Sequence, residues 1–186
     1  PEDGEALAKA IEGFEPEVIG LSIRNVDTTD TSRPDGLFAG YRALVDAIRS
    51  QTDALLVLGG SGFSIFPDQM MRELGADYGI LGEGERLSLL LDALERREDV
   101  SAMPGIVTPN APAAMPPPWS REITRRFDPS LPHVAFYLKR GGMLNLQTKR
   151  GCGFNCIYCT YPLIEGHALR LFDPQAGFEQ VVIHGA

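Results

Sequence analysis

Cysteine, basic residues and long apolar runs are all scarce in this 186-residue chain. Only three cysteines occur, all within residues 152–159, which excludes a disulfide framework spread across the fold. There are 17 lysines and arginines against 25 acidic residues, and the net charge of −8 argues against duplex nucleic acid as a main partner. No apolar run approaches the ~20 residues that a membrane-spanning helix needs. Clustered thiols without a signal peptide predict a protein of the reducing cytoplasm.

Apolar residues follow a regular alternation of short strands and amphipathic helices over the first part of the chain. Short, mostly apolar runs at residues 18–23, 54–58 and 77–81, and at 106–107, predict strands. Helical spacing of the apolar residues between these runs predicts helices. Such strands, buried on both faces, imply a parallel sheet covered by helices. The predicted fold is therefore α/β with a doubly wound parallel sheet, whose ligands bind beyond the carboxyl ends of the strands.

Glycine-rich turns follow two of the predicted strands. Gly59-Gly60-Ser61-Gly62 follows the second strand, and Gly82-Glu83-Gly84-Glu85 follows the third. Glycines there permit unusual dihedrals and close backbone approach to a ligand, and amides at the following helix terminus can receive an anionic or carbonyl group. Plain strand-to-helix turns have the same composition, so these residues alone leave a ligand site and a simple turn equally open.

The three cysteines occupy one loop with the spacing C-x3-C-x2-C, in the sequence Gly151-Cys152-Gly153-Phe154-Asn155-Cys156-Ile157-Tyr158-Cys159. This spacing suits an iron–sulfur cluster, because three close thiolates hold three corners of a cube and leave the fourth iron open to a small molecule. Zinc is the serious competitor, with His167 completing a Cys3His site, although zinc ligand pairs usually read C-x2-C twice. The metal-ligand prediction is therefore Cys152, Cys156 and Cys159, with a cluster favoured over zinc.

This cysteine motif resembles the cluster motif of the radical S-adenosylmethionine (radical SAM) superfamily. The flanking residues resemble the subgroup with an N-terminal cobalamin-binding domain; they are Thr148-Lys149-Arg150 before the motif and Tyr161-Pro162-Leu163-Ile164-Glu165-Gly166 after it. The resemblance implies a 4Fe-4S cluster whose open iron binds S-adenosylmethionine. An electron from the reduced cluster would cleave this cosubstrate to a 5′-deoxyadenosyl radical, while the protein supplies ligation and orientation. The resemblance also implies that Tyr158 lies beside the bound nucleoside.

A Rossmann-like cobalamin-binding domain is the second implication of the resemblance. Such domains carry Ser-x-Leu after one strand and Gly-Gly after the next, around the dimethylbenzimidazole nucleotide tail, and Ser22 and Gly59-Gly60 occupy these positions here. The chain departs from the pattern at Arg24, where the motif has leucine, and it lacks the Asp-x-His-x-x-Gly motif for a lower cobalt ligand. The predicted cofactor-binding residues are Tyr158, Ser22, Gly59, Gly60, Ser61, Gly62, Gly82 and Glu83.

Composition and resemblance together divide the chain into three parts. Residues 1–108 are expected to form the cobalamin-binding-like α/β domain without its first strand. Residues 109–141, rich in proline and alanine at their start, are expected to form a linker. Residues 142–186 are expected to begin a radical SAM partial barrel, with a strand over Met143–Thr148, the cysteine loop and a helix. A full barrel needs at least ~200 residues, so this domain is expected to be truncated.

Two function classes are open at this stage. The resemblance implies a cobalamin-dependent radical SAM enzyme, methyltransferase-like, that methylates an unreactive carbon of a small-molecule, lipid or natural-product-like substrate. A flavodoxin or ferredoxin would supply the electron, and the fragment alone is expected to be inactive. The alternative is a non-catalytic cobalamin-binding module or a zinc-binding structural fragment.

Overall fold

The chain folds into two compact units, Pro1–Pro118 and Trp119–Ala186. Within the part of the chain that is described, no helix is both long enough and apolar enough to cross a membrane. The computed structural model describes residues 2–26, 36–111, 113–120, 132–141 and 147–173.

The first unit alternates helices and strands as the apolar pattern predicts. All four predicted strands are present, each within one residue of its expected ends. The helices are α1 (Glu2–Phe14), α2 (Gly36–Arg49), α3 (Ser61–Ile65), α4 (Pro67–Leu74) and α5 (Arg86–Glu95), and the strands are β1 (Val18–Ser22), β2 (Leu55–Gly59), β3 (Tyr78–Ile80) and β4 (Ile106–Val107).

The four strands form one sheet in the order β1-β2-β3-β4. The predicted parallel arrangement is confirmed for β1, β2 and β3, whereas β4 pairs antiparallel with β3. The reason lies in residues 96–105, which follow α5. The Leu81 N–H donates to the Gly105 carbonyl (2.9 Å), so the chain has already returned to the carboxyl end of β3 before β4 begins. From that point β4 runs in the opposite direction.

Helices cover both faces of the sheet, which confirms the doubly wound α/β fold. Successive side chains of a strand point to opposite faces. In β2, Leu56 and Leu58 therefore belong to one apolar cluster and Val57 to the other. Helices α2, α3 and α4 complete the first cluster, and α5 completes the second. Burial on both faces explains why this strand has a continuous apolar sequence.

Strand β3 lies unusually close to α3. Phe63 of α3 is fully buried, and its ring occupies the space that a side chain at Gly79 would need. A Cβ added at Gly79 would lie 2.2 Å from the Phe63 Cζ atom. Because protein interiors are close-packed, this contact fixes the distance between α3 and the sheet, and with it the turn that leads into α3.

The proline-rich segment begins as part of the first unit. The Ala113 N–H donates to the Asp68 carboxylate (3.0 Å), and Ala113 packs against the first apolar cluster. Arg86 is buried, and its guanidinium donates to the Pro117 carbonyl (2.5 Å). These contacts hold the start of the segment along the surface of the α/β domain.

Among its described residues, the second unit forms two helices and a two-stranded antiparallel sheet. The predicted strand over Met143–Thr148 lies mostly outside the described residues. Helix α6 falls within the range predicted to be a linker, and the domain boundaries predicted after residues 108 and 141 stay predictions. The elements are α6 (Pro132–Gly141), β5 (Lys149–Arg150), α7 (Tyr161–Glu165) and β6 (Arg170–Leu171).

Candidate functional site

Two of the predicted cofactor-binding residues meet at the ends of neighbouring strands. Ser22, the last residue of β1, pairs in register with Gly59, the last residue of β2. The Ile23 N–H donates to the Gly59 carbonyl (2.7 Å) and extends this pairing. Ser22 is exposed and Gly59 is half-buried. Both therefore border solvent at the edge where parallel α/β sheets bind ligands; we call Ser22 with residues 59–64 and 82–85 the carboxyl edge.

The glycines of the turn after β2 are required by the chain's own backbone. Gly60 has a φ of +95°, and a Cβ there would lie 2.4 Å from the Ile23 carbonyl oxygen. A Cβ at Gly62 would lie 2.9 Å from a methyl group of Val26. The segment that follows β1 thus passes directly over this turn. The close approach that these glycines permit is used by the segment 23–26 of the chain itself.

Hydrogen-bond donors of the same turn are engaged within the protein. The Gly62 N–H donates to the Ile23 carbonyl (2.9 Å), and the Ser61 hydroxyl donates to the Arg24 carbonyl (3.1 Å). The Gly62 amide thus binds a carbonyl of the chain itself, and the expectation that amides at this helix terminus bind a ligand stays a prediction. Its hydrogen-bonding capacity is used to fix the segment after β1.

The turn after β3 is tied to the turn after β2 by Ser64. Gly82 has a φ of +69°, and its N–H donates to the Ser64 hydroxyl oxygen (2.9 Å). The Ser64 hydroxyl in turn donates to the Gly60 carbonyl (3.1 Å). Glu83 is buried, whereas Gly84 is exposed and a Cβ there would meet no atom within 4 Å. No spacing in the sequence indicates the Ser64 bridge, because its partners lie in two different turns.

The groups that the carboxyl edge presents to solvent suit a nucleotide-like ligand. Ser22 and Ser61 are exposed, and Gly59 and Gly60 are half-buried. Hydroxyl and peptide groups at this edge can form hydrogen bonds with phosphate, ribose or base atoms. Gly62 and Glu83 are buried, so they contribute to the shape of the turns rather than to this surface. The cofactor-binding role of all these residues stays a prediction.

The second candidate site is the cysteine loop, residues 151–166, whose base is held firmly. Gly151 has a φ of +78°, and a Cβ there would lie 2.1 Å from the Ala168 carbonyl oxygen. The Gly151 N–H donates to the Glu165 carboxylate (3.0 Å), and the Cys152 N–H donates to the Gly166 carbonyl (3.1 Å). The two ends of the loop are therefore closed on each other just beside the first cysteine.

The cysteine side chains themselves are accessible and unpaired by disulfides. Cys152 is half-buried, and Cys156 and Cys159 are exposed. Tyr158 is 86% exposed. Among the described residues, no three histidine, cysteine or acidic side chains are gathered closely enough to hold a metal ion. The three cysteines with His167, the alternative zinc ligands, are likewise not gathered. The donor set nevertheless fits a 4Fe-4S cluster, since three soft thiolates share one glycine-containing loop.

Behind the cysteine loop lies a polar layer centred on Glu165. Its backbone carbonyl accepts a hydrogen bond from Arg170 (2.6 Å), and its carboxylate lies near the Gln147 amide (3.5 Å). Burial raises the pKa of the Tyr161 phenol, and the adjacent Glu165 carboxylate raises it further. From the sequence, Glu165 is only the end of the loop, and neither Gln147 nor Arg170 is indicated by any motif.

Arg150, which directly precedes the loop, is buried rather than exposed. Its Nε donates to the Gln147 side-chain oxygen (3.3 Å), and its guanidinium lies 5.9 Å from the centre of the Phe172 ring. Lys149 donates to the Gly151 carbonyl (3.0 Å). Of these two basic residues, Lys149 therefore contacts the backbone of the loop, whereas Arg150 contacts Gln147 and Phe172 beside it.

A cavity of about 660 Å³ lies elsewhere in the first unit, between α2 and α4. Its lining is mostly apolar and includes Phe38, Phe66 and Met70. None of the predicted site residues borders it, so the two candidate sites are the carboxyl edge and the cysteine loop.

Comparison with known proteins finds relatives of both units. Residues 1–91 match the B12 binding domain family. Tryptophan 2-C-methyltransferase of Streptomyces laurentii is 28% identical over 81% of this chain and 34% of its own length. An uncharacterized methyltransferase of Pyrococcus horikoshii is 26% identical over 95% of this chain and 38% of its own length. The chain thus spans little more than a third of the length of these relatives.

Solved structures extend the similarity to the fold. Two structures of TsrM, a radical S-adenosylmethionine methyltransferase from Kitasatospora setae, each match 94% of this chain. The match covers 36% of the first TsrM chain, with a TM-score of 0.73 and 24% identity, and 37% of the second, with a TM-score of 0.72 and 23% identity. One contains the tryptophan substrate and an S-adenosylmethionine analogue, and the other contains cobalamin and a [4Fe-4S] cluster. The predicted resemblance to the cobalamin-binding radical SAM proteins is confirmed, and residues 1–91 match the B12 binding domain family.

Proposed function

We propose that this chain is part of a cobalamin-dependent radical SAM methyltransferase. The observation that carries the proposal is the presence, in one chain, of a B12 binding domain and a loop with three accessible cysteines at C-x3-C-x2-C spacing. A cobalamin site alone is compatible with many activities, and three thiols alone are compatible with zinc. Together they match the two cofactors that the relative from Kitasatospora setae is described as holding.

In this proposal Cys152, Cys156 and Cys159 ligate three irons of a 4Fe-4S cluster. When bound, the cluster supplies the electron for reductive cleavage of S-adenosylmethionine to a 5′-deoxyadenosyl radical, and cobalamin supplies a methyl carrier. The closed base of the loop, at Gly151 and Glu165, would fix the backbone directly before Cys152. Tyr158, which is exposed next to Cys159, would border the nucleoside of the cosubstrate, as the family resemblance implies.

At the carboxyl edge, Ser22, Gly59, Gly60 and Ser61 would bind the nucleotide tail of cobalamin. Their accessible hydroxyl and peptide groups provide the hydrogen bonds, and the packed turns behind them provide the shape. Gly62, Gly82 and Glu83 would act through the geometry of those turns. The substrate we propose is a small molecule that is methylated at an unreactive carbon. The Streptomyces laurentii relative is named for methylation of a carbon atom of tryptophan. A flavodoxin or ferredoxin would supply the electron.

Anaerobic reconstitution with iron and sulfide tests the metal half of the proposal. The chain is expected to bind about four irons and to gain broad visible absorption, as a cubane cluster requires. Serine at any one of the three cysteine positions should lower the iron content several-fold. Asn155→Ser, an exposed change within the same loop, is the matched control and should leave it unchanged. One zinc per chain without a chromophore would overturn the cluster.

The second candidate function is a cobalamin-binding module without turnover, which the family match to residues 1–91 favours. Because this chain alone is expected to be inactive, the test uses the whole protein of which we propose it is part. Incubation of that protein, reconstituted and reduced, with S-adenosylmethionine distinguishes the two functions. Formation of 5′-deoxyadenosine supports the enzyme. Bound cobalamin with intact S-adenosylmethionine supports the module.

A further inference from the structure

The two turns of the carboxyl edge are joined by one buried hydroxyl group. Ser64 lies in α3 and is only 3% exposed. Its oxygen accepts the Gly82 N–H (2.9 Å), and its hydroxyl proton is donated to the Gly60 carbonyl (3.1 Å). The single donor of the hydroxyl and one acceptor lone pair are therefore both used.

Each partner of Ser64 belongs to a turn that follows a different strand. Gly60 follows β2, and Gly82 follows β3. The Gly60 carbonyl also accepts a hydrogen bond from the Ser64 backbone N–H (3.1 Å). Ser64 therefore contacts the first turn through its backbone N–H and its hydroxyl, and the second turn through its hydroxyl alone. Because the side chain is buried, water has little access to replace the hydroxyl if it is removed.

We propose that Ser64 is a positioning residue for cobalamin, holding the turns at Gly60 and Gly82 at a fixed separation before the cofactor binds. The inference rests on the proposed function, since it concerns the same site. Ser64 is buried behind the turns and does not reach solvent. It acts through the turns rather than by contacting the cofactor.

Loss of this bridge is expected to weaken binding by removing pre-organisation. In Ser64→Ala, the Gly82 N–H loses its acceptor and the two turns can separate. Cobalamin must then order the edge as it binds, and a smaller competent population lowers the apparent affinity in proportion. We expect the dissociation constant to rise about tenfold, the factor that one buried hydrogen bond commonly contributes.

The affinity test is equilibrium dialysis of the 186-residue chain against hydroxocobalamin. Ser50→Ala is the matched control, because the Ser50 hydroxyl also donates to a backbone carbonyl, that of Ala47 (2.8 Å), but it is exposed and lies just beyond α2. The dissociation constant should change less than about twofold in the control, since exposed hydrogen bonds contribute little. Folded Ser64→Ala with the affinity of the wild type would overturn the inference.

Amide hydrogen exchange provides a readout that a general loss of stability would not produce. The Gly82 amide of the wild type should be protected before cobalamin is added. In Ser64→Ala it should exchange faster while the amides of Leu56 and Leu58, in the centre of the sheet, keep their rates. An unprotected Gly82 amide in the cobalamin-free wild type would overturn the inference even if Ser64→Ala fails to fold.

The two proposals fail in distinguishable ways. If the wild type does not bind cobalamin, the proposed function fails at this site and the inference fails with it. If the wild type binds and Ser64→Ala binds equally well, only the positioning role is lost. A weaker Ser64→Ala with an unchanged control supports both.

Discussion

At the carboxyl edge the chain's own atoms fill the space around Gly60 and Gly62, whereas in the cysteine loop residues 153–161 are exposed. Gly60 is overlaid by the Ile23 backbone, and Gly82 is bridged by Ser64. In contrast, Cys156 and Cys159 are exposed and make no disulfide. The first site is shaped by the chain alone. In the second the three thiols are not gathered, so a metal would have to draw its proposed ligands together.

This difference separates the two roles that glycine has in the chain. Gly60 and Gly62 leave room for the segment after β1, and Gly151 leaves room for the Ala168 carbonyl. All three serve the protein's own packing. Gly84 and Gly153 have no atom closer than ordinary contact to a Cβ, so glycine is not needed there for packing.

Gly60→Ala is expected to lower the free energy of unfolding more than any other substitution proposed here. It tests whether packing shapes the carboxyl edge. The new Cβ would collide with the Ile23 carbonyl at a residue with positive φ, so the free energy of unfolding of the first unit should fall by roughly 2–4 kcal/mol. Denaturant unfolding without cofactor measures this. Gly84→Ala, with open space around it, should be nearly neutral. Equal stabilities would show that the edge is loosely packed.

Gly151→Ala makes the corresponding change in the cysteine loop. Its Cβ would meet the Ala168 carbonyl at 2.1 Å, and the loop base should open at a cost of roughly 1–3 kcal/mol. Iron bound per chain after reconstitution should fall several-fold. Gly153→Ala, whose nearest contact is 3.9 Å, is the control and should bind iron normally. Normal iron binding in Gly151→Ala would mean that the base does not position the cysteines.

Asp77→Asn separates the stability of the sheet from the shape of its carboxyl edge. Asp77 accepts hydrogen bonds from the Leu56 N–H (2.7 Å) and Arg49 (2.7 Å). Burial raises the pKa of Asp77, but these two partners outweigh it and leave the pKa below its usual value. The variant should lose about 1 kcal/mol of stability at neutral pH and bind cobalamin with unchanged affinity.

The same residue makes stability depend on pH in a defined direction. A lowered folded-state pKa means that the stabilisation is complete above the unfolded pKa of about 4 and is lost as pH falls through the folded value. Unfolding measured from pH 7 downward should show this loss in the wild type and a smaller one in Asp77→Asn. Asp53→Asn, at an exposed position just before β2, is the control. Identical pH profiles for all three proteins would contradict the assignment.

Glu165→Ala is expected to have the smallest effect. The Gly151 N–H loses its carboxylate acceptor, worth about 1 kcal/mol, so iron should be lost faster to a chelator. Glu165→Gln keeps a side-chain oxygen at this position and should retain iron nearly as well as the wild type. If Glu165→Gln loses iron as fast as Glu165→Ala, and both lose it faster than the wild type, then the negative charge of Glu165 retains iron rather than its side-chain oxygen as a hydrogen-bond acceptor.

Local patterns predicted much of the fold. Each strand of the first unit is a continuous apolar run, so its position follows from a few neighbouring residues. The antiparallel course of β4 does not follow in the same way, because it depends on where residues 96–105 return, which the hydrogen bond from Leu81 to Gly105 shows. The cysteine spacing likewise lies within eight residues and carries its chemistry locally.

What the amino-acid sequence by itself determined is the α/β pattern, the position of the glycine turns and the identity of three clustered thiols. Tertiary structure decided what the glycines are for and which residues stand behind the sites. Gly60 meets Ile23, Ser64 meets Gly82, and Gly151 meets Glu165 across gaps of 14 residues or more. Such pairings have no periodic signature, because they arise only when packing brings separate turns together.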